Sequence, residues 1–520
     1  MLIRRAEVEG RAPRDVRIAS GRVAEIGEDL APRAGEPVVD AAGGALLPGL
    51  HDHHLHLRAL AAAQHSVACG PPTVCDRDSL ARALARAAAG APPGTWIRGV
   101  GYHESVAGPL DRLALDALAP AHPVRIQHRS GELWMLNSAA CRALGSASLR
   151  AEEPLAFDRS PLGCASLRAE EPLAFDRSPL GSASLRAEEP LAFDRSPLGS
   201  ASLRAEEPLA RGRLFRADAW LRSRLPKGEA PPLRETCAML ARFGVTGVTD
   251  ASPENGPDEL AAFALAMACG ELPQRVVLMG RAELPESDAP RLVRGPRKLR
   301  LAESALPRFD DLVAEIEAAH AASRPVAIHC VTRAELVFAA VALQAAGTAE
   351  GDRIEHASVA PPDALSLLAA LHLTVVTQPG FIATRGDAYR RDVAEEELPY
   401  LYRCRGFLAS GIPLGGSTDA PFGDPDPWSA MRAAVDRLAP DGLALGIAES
   451  LSPERALALF TSPADAPGAP ARRVAPGAPA DLCLLDRPWA AARRQLECKH
   501  VVATWCDGRL IASQLTSRAC

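Results

Sequence analysis

Hydrophobic positions change period twice along this chain. Near its start they alternate: Asp15-Val16-Arg17-Ile18 and Arg22-Val23-Ala24-Glu25-Ile26 are joined through Ser20-Gly21, the pattern of a β-hairpin. Near its end the alternation returns. Asp481-Leu482-Cys483-Leu484-Leu485 reads as a strand, and Val501 to Trp505 turns through Asp507-Gly508 into Arg509-Leu510-Ile511. Two β-rich ends predict one small sheet domain built from both. Between them, short apolar runs alternate with amphipathic helices, as in a parallel α/β fold. Phe309, Leu312, Val313, Ile316 and Ala319 fall at helical spacing and predict a helix over 309–322, feeding the strand Pro325-Val326-Ala327-Ile328-His329. His320 sits beside that apolar stripe and reads as a packed helix residue. Further strand–helix alternations run through residue 440.

Residues 146–210 break the pattern. Ser-Ala-Ser-Leu-Arg-Ala-Glu-Glu-Pro-Leu-Ala-Phe-Asp-Arg-Ser-Pro-Leu-Gly occurs three times in full, Cys164 being the one departure, and again in part from Ser200 to Ala210. Repeats usually announce a solenoid. Here the prolines break any long helix and apolar content is thin, so an expanded surface loop is expected, with an interaction platform as the functional alternative.

The chain has 520 residues, 47% of them apolar, enough for a large core. A net charge of −6 gives no basic surface for nucleic acid or anionic membrane, and no apolar run approaches a membrane span. Twelve scattered cysteines without a Cys-x-x-Cys read as reduced thiols of a cytoplasmic protein. Met1-Leu2-Ile3-Arg4-Arg5 leads into charged residues with no apolar core of a signal peptide. A small-molecule substrate is the expected partner, with a homo-oligomer as a further possibility.

The chemistry concentrates in Pro48-Gly49-Leu50-His51-Asp52-His53-His54-Leu55-His56. Side chains at i and i+2 of a strand share a face, so His54 and His56 converge, with Asp52 at the same parity. Two imidazoles and a carboxylate can start a site for a borderline ion such as Zn²⁺. Four further candidates sit in or after short strands: Lys298 in Gly295–Leu301, His329 after Val326-Ala327-Ile328, His356 after Arg353-Ile354-Glu355, and Asp419 after Ile412–Thr418. In a (β/α)₈ barrel, groups at the C-terminal ends of different strands converge in space.

With these residues the chain resembles the amidohydrolase superfamily, in its amidohydrolase 3 (YtcJ-like, N-substituted formamide deformylase-like) group. The resemblance is carried by Pro48–His56, Val326–His329, Arg353–His356 and Gly416-Ser417-Thr418-Asp419-Ala420-Pro421. Pro476–Leu482, Asn137-Ser138-Ala139-Ala140 and Gly244–Asp250 join them. It implies a TIM barrel over 48–460, interrupted by the 146–210 repeats, and a β-sandwich from 1–47 and 461–520. It implies one or two divalent metals, zinc foremost. His54, His56 and Asp419 would hold one, and His329 and His356 the other. Lys298 stands where related enzymes carry a carboxylated bridging lysine. It is read either so or as an ordinary lysine beside a single-metal site, and Leu299-Arg300-Leu301 departs from the family's usual Asp-Gly. The implied activity is hydrolysis of a non-peptide C–N bond, with Asp419 moving the proton from the attacking water to the leaving nitrogen.

Other polar residues carry less. His128-Arg129-Ser130-Gly131-Glu132 follows a strand and is expected near the pocket, with Glu132 replacing a family histidine. Gln378 and Arg385 follow Thr374-Val375-Val376 and are expected at the mouth. His51 and His53 have the opposite parity and are expected to pack. His65, His103, His122, His372 and His500 show no partner spacing. A zinc deaminase of the same superfamily is one alternative, though Thr332 occupies its usual shuttle position and the next acid is Glu335. A non-catalytic relative is the other.

Overall fold

The computed structural model describes residues 1–145, 211–225 and 231–515, so the 146–210 repeats lie outside the described residues. In chain order the strands are β1 (Leu2–Val8), β2 (Arg14–Ala19), β3 (Arg22–Gly27), β4 (Val38–Asp40), β5 (Ala45–Pro48), β6 (Leu50–Leu55), β7 (Val67–Ala68), β8 (Ile97–Tyr102), β9 (Val124–His128), β10 (Leu133–Leu136) and β11 (Arg213–Phe215). They continue with β12 (Val245–Asp250), β13 (Arg275–Gly280), β14 (Leu292–Arg300), β15 (Val326–Cys330), β16 (Arg353–His356), β17 (Thr374–Thr377), β18 (Leu414–Gly416), β19 (Leu482–Leu485), β20 (Val501–Cys506) and β21 (Arg509–Ser513). By its contacts the chain divides into two compact units: Met1–Ser66 with Lys227–Cys520, and Val67–Pro226.

In the first unit, eight parallel strands run in the order β18-β17-β16-β15-β14-β13-β12-β6. Their β-branched and leucine side chains, such as Val245, Val276, Val326, Ile354 and Val375, are buried, as strands covered on both faces require. Helices including Pro257–Ala268, Phe309–Ala321, Arg333–Ala346 and Pro362–Ala370 intervene between successive strands. Backbone bonds Asp419 N–H to His54 O (2.9 Å) and His56 N–H to Ala420 O (2.8 Å) stitch the seam between β6 and the segment after β18. This is a nearly closed TIM-like barrel, and the stitch lies at the C-terminal ends of its strands.

Both chain ends meet in a mixed sheet ordered β21-β20-β19-β5-β1-β2-β3, with β4 added on β1. Ile3, Val16, Leu46, Leu482, Leu484 and Trp505 form its core. Only Gly49 separates β5 from the first barrel strand. Its N–H donates to Asp481 O at 2.8 Å, and an added Cβ there would lie 2.2 Å from the Thr246 side chain.

The second compact unit is Val67–Pro226. Its sheet, β11-β10-β9-β8-β7, has its own core of Leu80, Leu84, Ile97, Tyr102, Ile126 and Met135. Strands β7, β8 and β9 are parallel, whereas β9, β10 and β11 are antiparallel. Asn137 secures it: its Oδ1 accepts from Val124 and Ala140 N–H, and its amide donates to the Ala119 and His122 carbonyls. A segment with its own sheet and core folds as a unit rather than as a barrel repeat.

Candidate metal centre

Strand β6 delivers His54, and His56 follows one residue past its end, where the helix Leu57–Gln64 begins. Across the seam, Asp419 follows β18 in a left-handed conformation, φ 55°. Its Oδ1 lies 3.6 Å from His54 Nε2 and 3.5 Å from His56 Nε2. The ligand atoms of these three residues fall within 4.8 Å of one another, a grouping that can hold a metal ion. His356 ends β16 with φ 70°, its ring centroid 4.7 Å from that of His54 and 4.4 Å from that of His329. A left-handed non-glycine residue costs on the order of 1–3 kcal/mol and persists where its surroundings over-determine it. Here it ends the strand alternation, so the consecutive residues Glu355 and His356 both serve the site.

Three imidazoles are seated by Nδ1, which leaves Nε2 to be presented. His54 Nδ1–H donates to the Glu355 carboxylate, His56 Nδ1 lies 3.0 Å from Ser252 Oγ, and His356 Nδ1–H donates to Gln378 Oε1 at 2.8 Å. Such outer partners fix the tautomer and orientation of metal-binding histidines. His356 Nε2 and Asp419 Oδ1 are buried without a hydrogen-bond partner, although buried polar atoms are nearly always paired. An unpaired imidazole nitrogen and a carboxylate oxygen are donors that a divalent cation satisfies. The residues fit the ion.

Burial takes His54 down to about 3 and lowers His329 and His356, so all three are neutral, ligand-competent rings near pH 7. Burial works against ionisation of Asp419, but the closeness of His56, with His54 and His356 beside it, outweighs it and holds the carboxyl well below its usual range. Lys298 Nζ is buried and unpaired as well; burial lowers it to about 8, with Glu355 opposing.

The structure thus brings His54, His56, His329, His356 and Asp419 together, with Lys298 electrostatically coupled to them. Asp52, of the same parity as His54, takes a different part. It is fully buried and accepts from Thr418 N–H and Oγ1–H and from His54 N–H, tying β6 to the Asp419 loop, and burial raises it to about 7. Gln378 does not line the mouth as expected. Its amide is taken up by His356 and by Ser417 Oγ at 2.9 Å. Arg385 donates to Phe422 O at 2.5 Å and stacks 4.2 Å over Phe381, while the Phe422 ring meets His56 edge-on at 5.5 Å. His51 and His53 bond to Thr249 Oγ1 and Ser462 Oγ, each at 2.9 Å. His128 and Arg129 belong to the Val67–Pro226 unit, where His128 pairs with Glu104 and Arg129 N–H donates to Tyr102 O. Sequence reasoning passed over Glu355, Ser252 and Thr418. The Arg-x-Glu alternation before His356, which places two charges on one strand face, was the available signal for the first.

A family model described as "Amidohydrolase family" matches residues 37–157 and 197–512. N-substituted formamide deformylase of Arthrobacter pascens is 31% identical over 151 residues, 28% of this chain and 28% of the relative. Protein LONG AFTER FAR-RED 3 of Arabidopsis thaliana is 27% identical over 144 residues, 26% of this chain and 24% of the relative. The matched stretches therefore span about a quarter of these curated relatives. An uncharacterized metal-dependent hydrolase of Pyrococcus horikoshii OT3 shares the fold, with a TM-score of 0.66 at 20% identity over 95% of this chain and 98% of that one.

Proposed function

The chain belongs to the amidohydrolase family, and from that premise we propose that it hydrolyses a non-peptide C–N bond in a small amide or N-acyl compound. The observation that carries this is the convergence of His54 Nε2 and His56 Nε2 on Asp419 Oδ1, at 3.6 and 3.5 Å, across the stitched seam. The imidazole and carboxylate donors suit Zn²⁺. His54, His56 and Asp419 would hold one ion, and His329 and His356 a second, with Lys298 either bridging as a carbamate or standing by as an amine. A divalent ion so held acidifies water and polarises a carbonyl at neutral pH.

The chain's own residues do the rest. Asp419, ionised and within reach of both histidines, accepts the proton of the attacking water and returns it to the leaving nitrogen, which departs as an amine. Glu355, Ser252 and Gln378 keep each imidazole turned to the site. Phe422, edge-on to His56, supplies an apolar wall, and Arg385 holds that wall by its backbone carbonyl. Ring deamination finds less support. Thr332 Oγ1 caps the helix Arg333–Ala346, and the Glu335 carboxylate is committed to the N–H groups of Glu303 (2.7 Å), Val331 (2.6 Å) and Thr332 (3.2 Å). Neither is left to shuttle a proton.

The test is a zinc-loaded screen of N-formyl, N-acyl and cyclic amides beside an Asp419→Asn control. Turnover that Asp419→Asn leaves unchanged would remove this carboxylate from the mechanism. A folded, metal-loaded chain inert on every amide would overturn the substrate class.

A further inference from the structure

The Val67–Pro226 unit carries a second set of ligating side chains of its own. Because β7, β8 and β9 are parallel, their C-terminal ends share one edge, and ligands of parallel sheets gather outside such edges. Tyr102, the last residue of β8, is the register partner of His128, the last of β9. His103 and Glu104 follow Tyr102 directly, so the topology delivers all three ligating residues to one place. His103, Glu104 and His128 each offer one ligand atom, all within 4.8 Å of one another, and all three side chains are part-buried.

Both strands end in the same three-residue seat, His103-Glu104-Ser105 and His128-Arg129-Ser130. In each, the ring Nδ1 lies 2.8 Å from the serine Oγ and accepts the serine N–H, at 3.2 Å for His103 and 3.1 Å for His128. Each ring is thereby held in place through Nδ1 by its serine. His128 Nε2 lies 3.0 Å from Glu104 Oε2, and the two rings stand 5.9 Å apart. Ligand atoms on a tetrahedral zinc are about 3.3 Å apart, so the His128–Glu104 pair already has that spacing.

We propose that His103, Glu104 and His128 bind a divalent transition ion of the zinc class, with its fourth position open to water or a small anion. Two imidazoles and one carboxylate with an open position is a ligand set zinc accepts. The ion takes the place of the proton on His128 Nε2. That proton moves to Nδ1, which then gives up the Ser130 N–H and donates to Ser130 Oγ instead, and the ring remains neutral.

The test uses the full chain, stripped with a chelator, reloaded with Zn²⁺ or Co²⁺ and dialysed, with bound metal counted per chain. A barrel-disabled variant (His54→Asn, His56→Asn, His329→Asn, His356→Asn, Asp419→Asn) is expected to keep one equivalent and the visible absorption of a Co²⁺ adduct. Adding His103→Asn and His128→Asn is expected to remove both. Glu104→Gln, which preserves shape, is expected to weaken that equivalent by at least the about 10-fold that loss of an outer-shell partner costs. A folded barrel-disabled chain that stays empty in saturating Zn²⁺ would overturn the proposal, and so would binding that Glu104→Gln leaves unchanged. Should the barrel-disabled chain fail to fold, equal metal counts and affinities in the otherwise native chain and its Glu104→Gln variant would overturn it as well.

Discussion

His54 and Glu355 face each other across the barrel interior, the Nδ1–H of one donating to the carboxylate of the other. The second Glu355 oxygen accepts from Arg353 Nε at 2.5 Å, and all three side chains are buried. A carboxylate held by a guanidinium holds an imidazole, which is left with only Nε2 to offer. Glu355→Gln is expected to weaken metal binding by about 10- to 100-fold, measured by chelator competition. Breaking the buried pair is also expected to cost about 3–5 kcal/mol, whereas Glu355→Gln with Arg353→Met recovers stability. Metal affinity is not expected to recover with it. A double variant that regains both would make Glu355 purely structural.

Chelation is expected to abolish amide turnover and Zn²⁺ to restore it. In reloaded protein, Asp419→Asn is expected to lower kcat by about 10²- to 10⁴-fold, the usual worth of a positioned proton carrier. Metal content measured beside the rate separates lost proton transfer from lost ligation.

Stability should fall with acid in a defined window. The ordinary histidine value is 6.5, and burial takes His54 to about 3. Between those values the unfolded chain binds a proton that the folded chain refuses, so stability rises with pH through the window and is lost as pH falls from 6.5 toward 3. His51, His53, His329 and His356 are shifted in the same direction and steepen the loss. In chelator-treated protein, His54→Asn is expected to flatten the slope of unfolding free energy by about 1.4 kcal/mol per pH unit in that window. Urea unfolding from pH 4 to pH 6 reads it directly, and parallel curves would contradict it.

Gly423 lies where the Asp419 loop turns back, its N–H donating to Asp419 O at 3.2 Å. A Cβ there would sit 2.1 Å from Thr418 O, a backbone atom that cannot yield without moving the loop. Gly423→Ala is expected to lower turnover by about 10²-fold, the effect of a misplacement near 1 Å, and to destabilise by about 1–3 kcal/mol. Kinetics and thermal unfolding of one preparation test both.

The barrel and the convergence of its candidate ligands were legible because each candidate ends or follows a short apolar run, and parallel strands bring such ends to one mouth. The supporting partners were not. Strict alternation turns Glu355 away from His356, and only the left-handed backbone at His356, φ 70°, reconciles them. Parity grouped Asp52 with His54, but its contacts to Thr418 depend on a residue 366 positions later in the chain. The second unit was hidden for a different reason. Its β7 and β11 have two and three residues, too short to carry a period.

The interleaving of β5 with β19 bears on how the chain is made. Until residues near 482 leave the ribosome, β5 has no neighbour on that flank, and the first barrel strand hangs from it by a single glycine. The nascent ribbon therefore waits through most of translation with that flank open. Variants that weaken β19 should show up first as poor yield from synthesis, well before any loss of heat resistance in the molecules that finish.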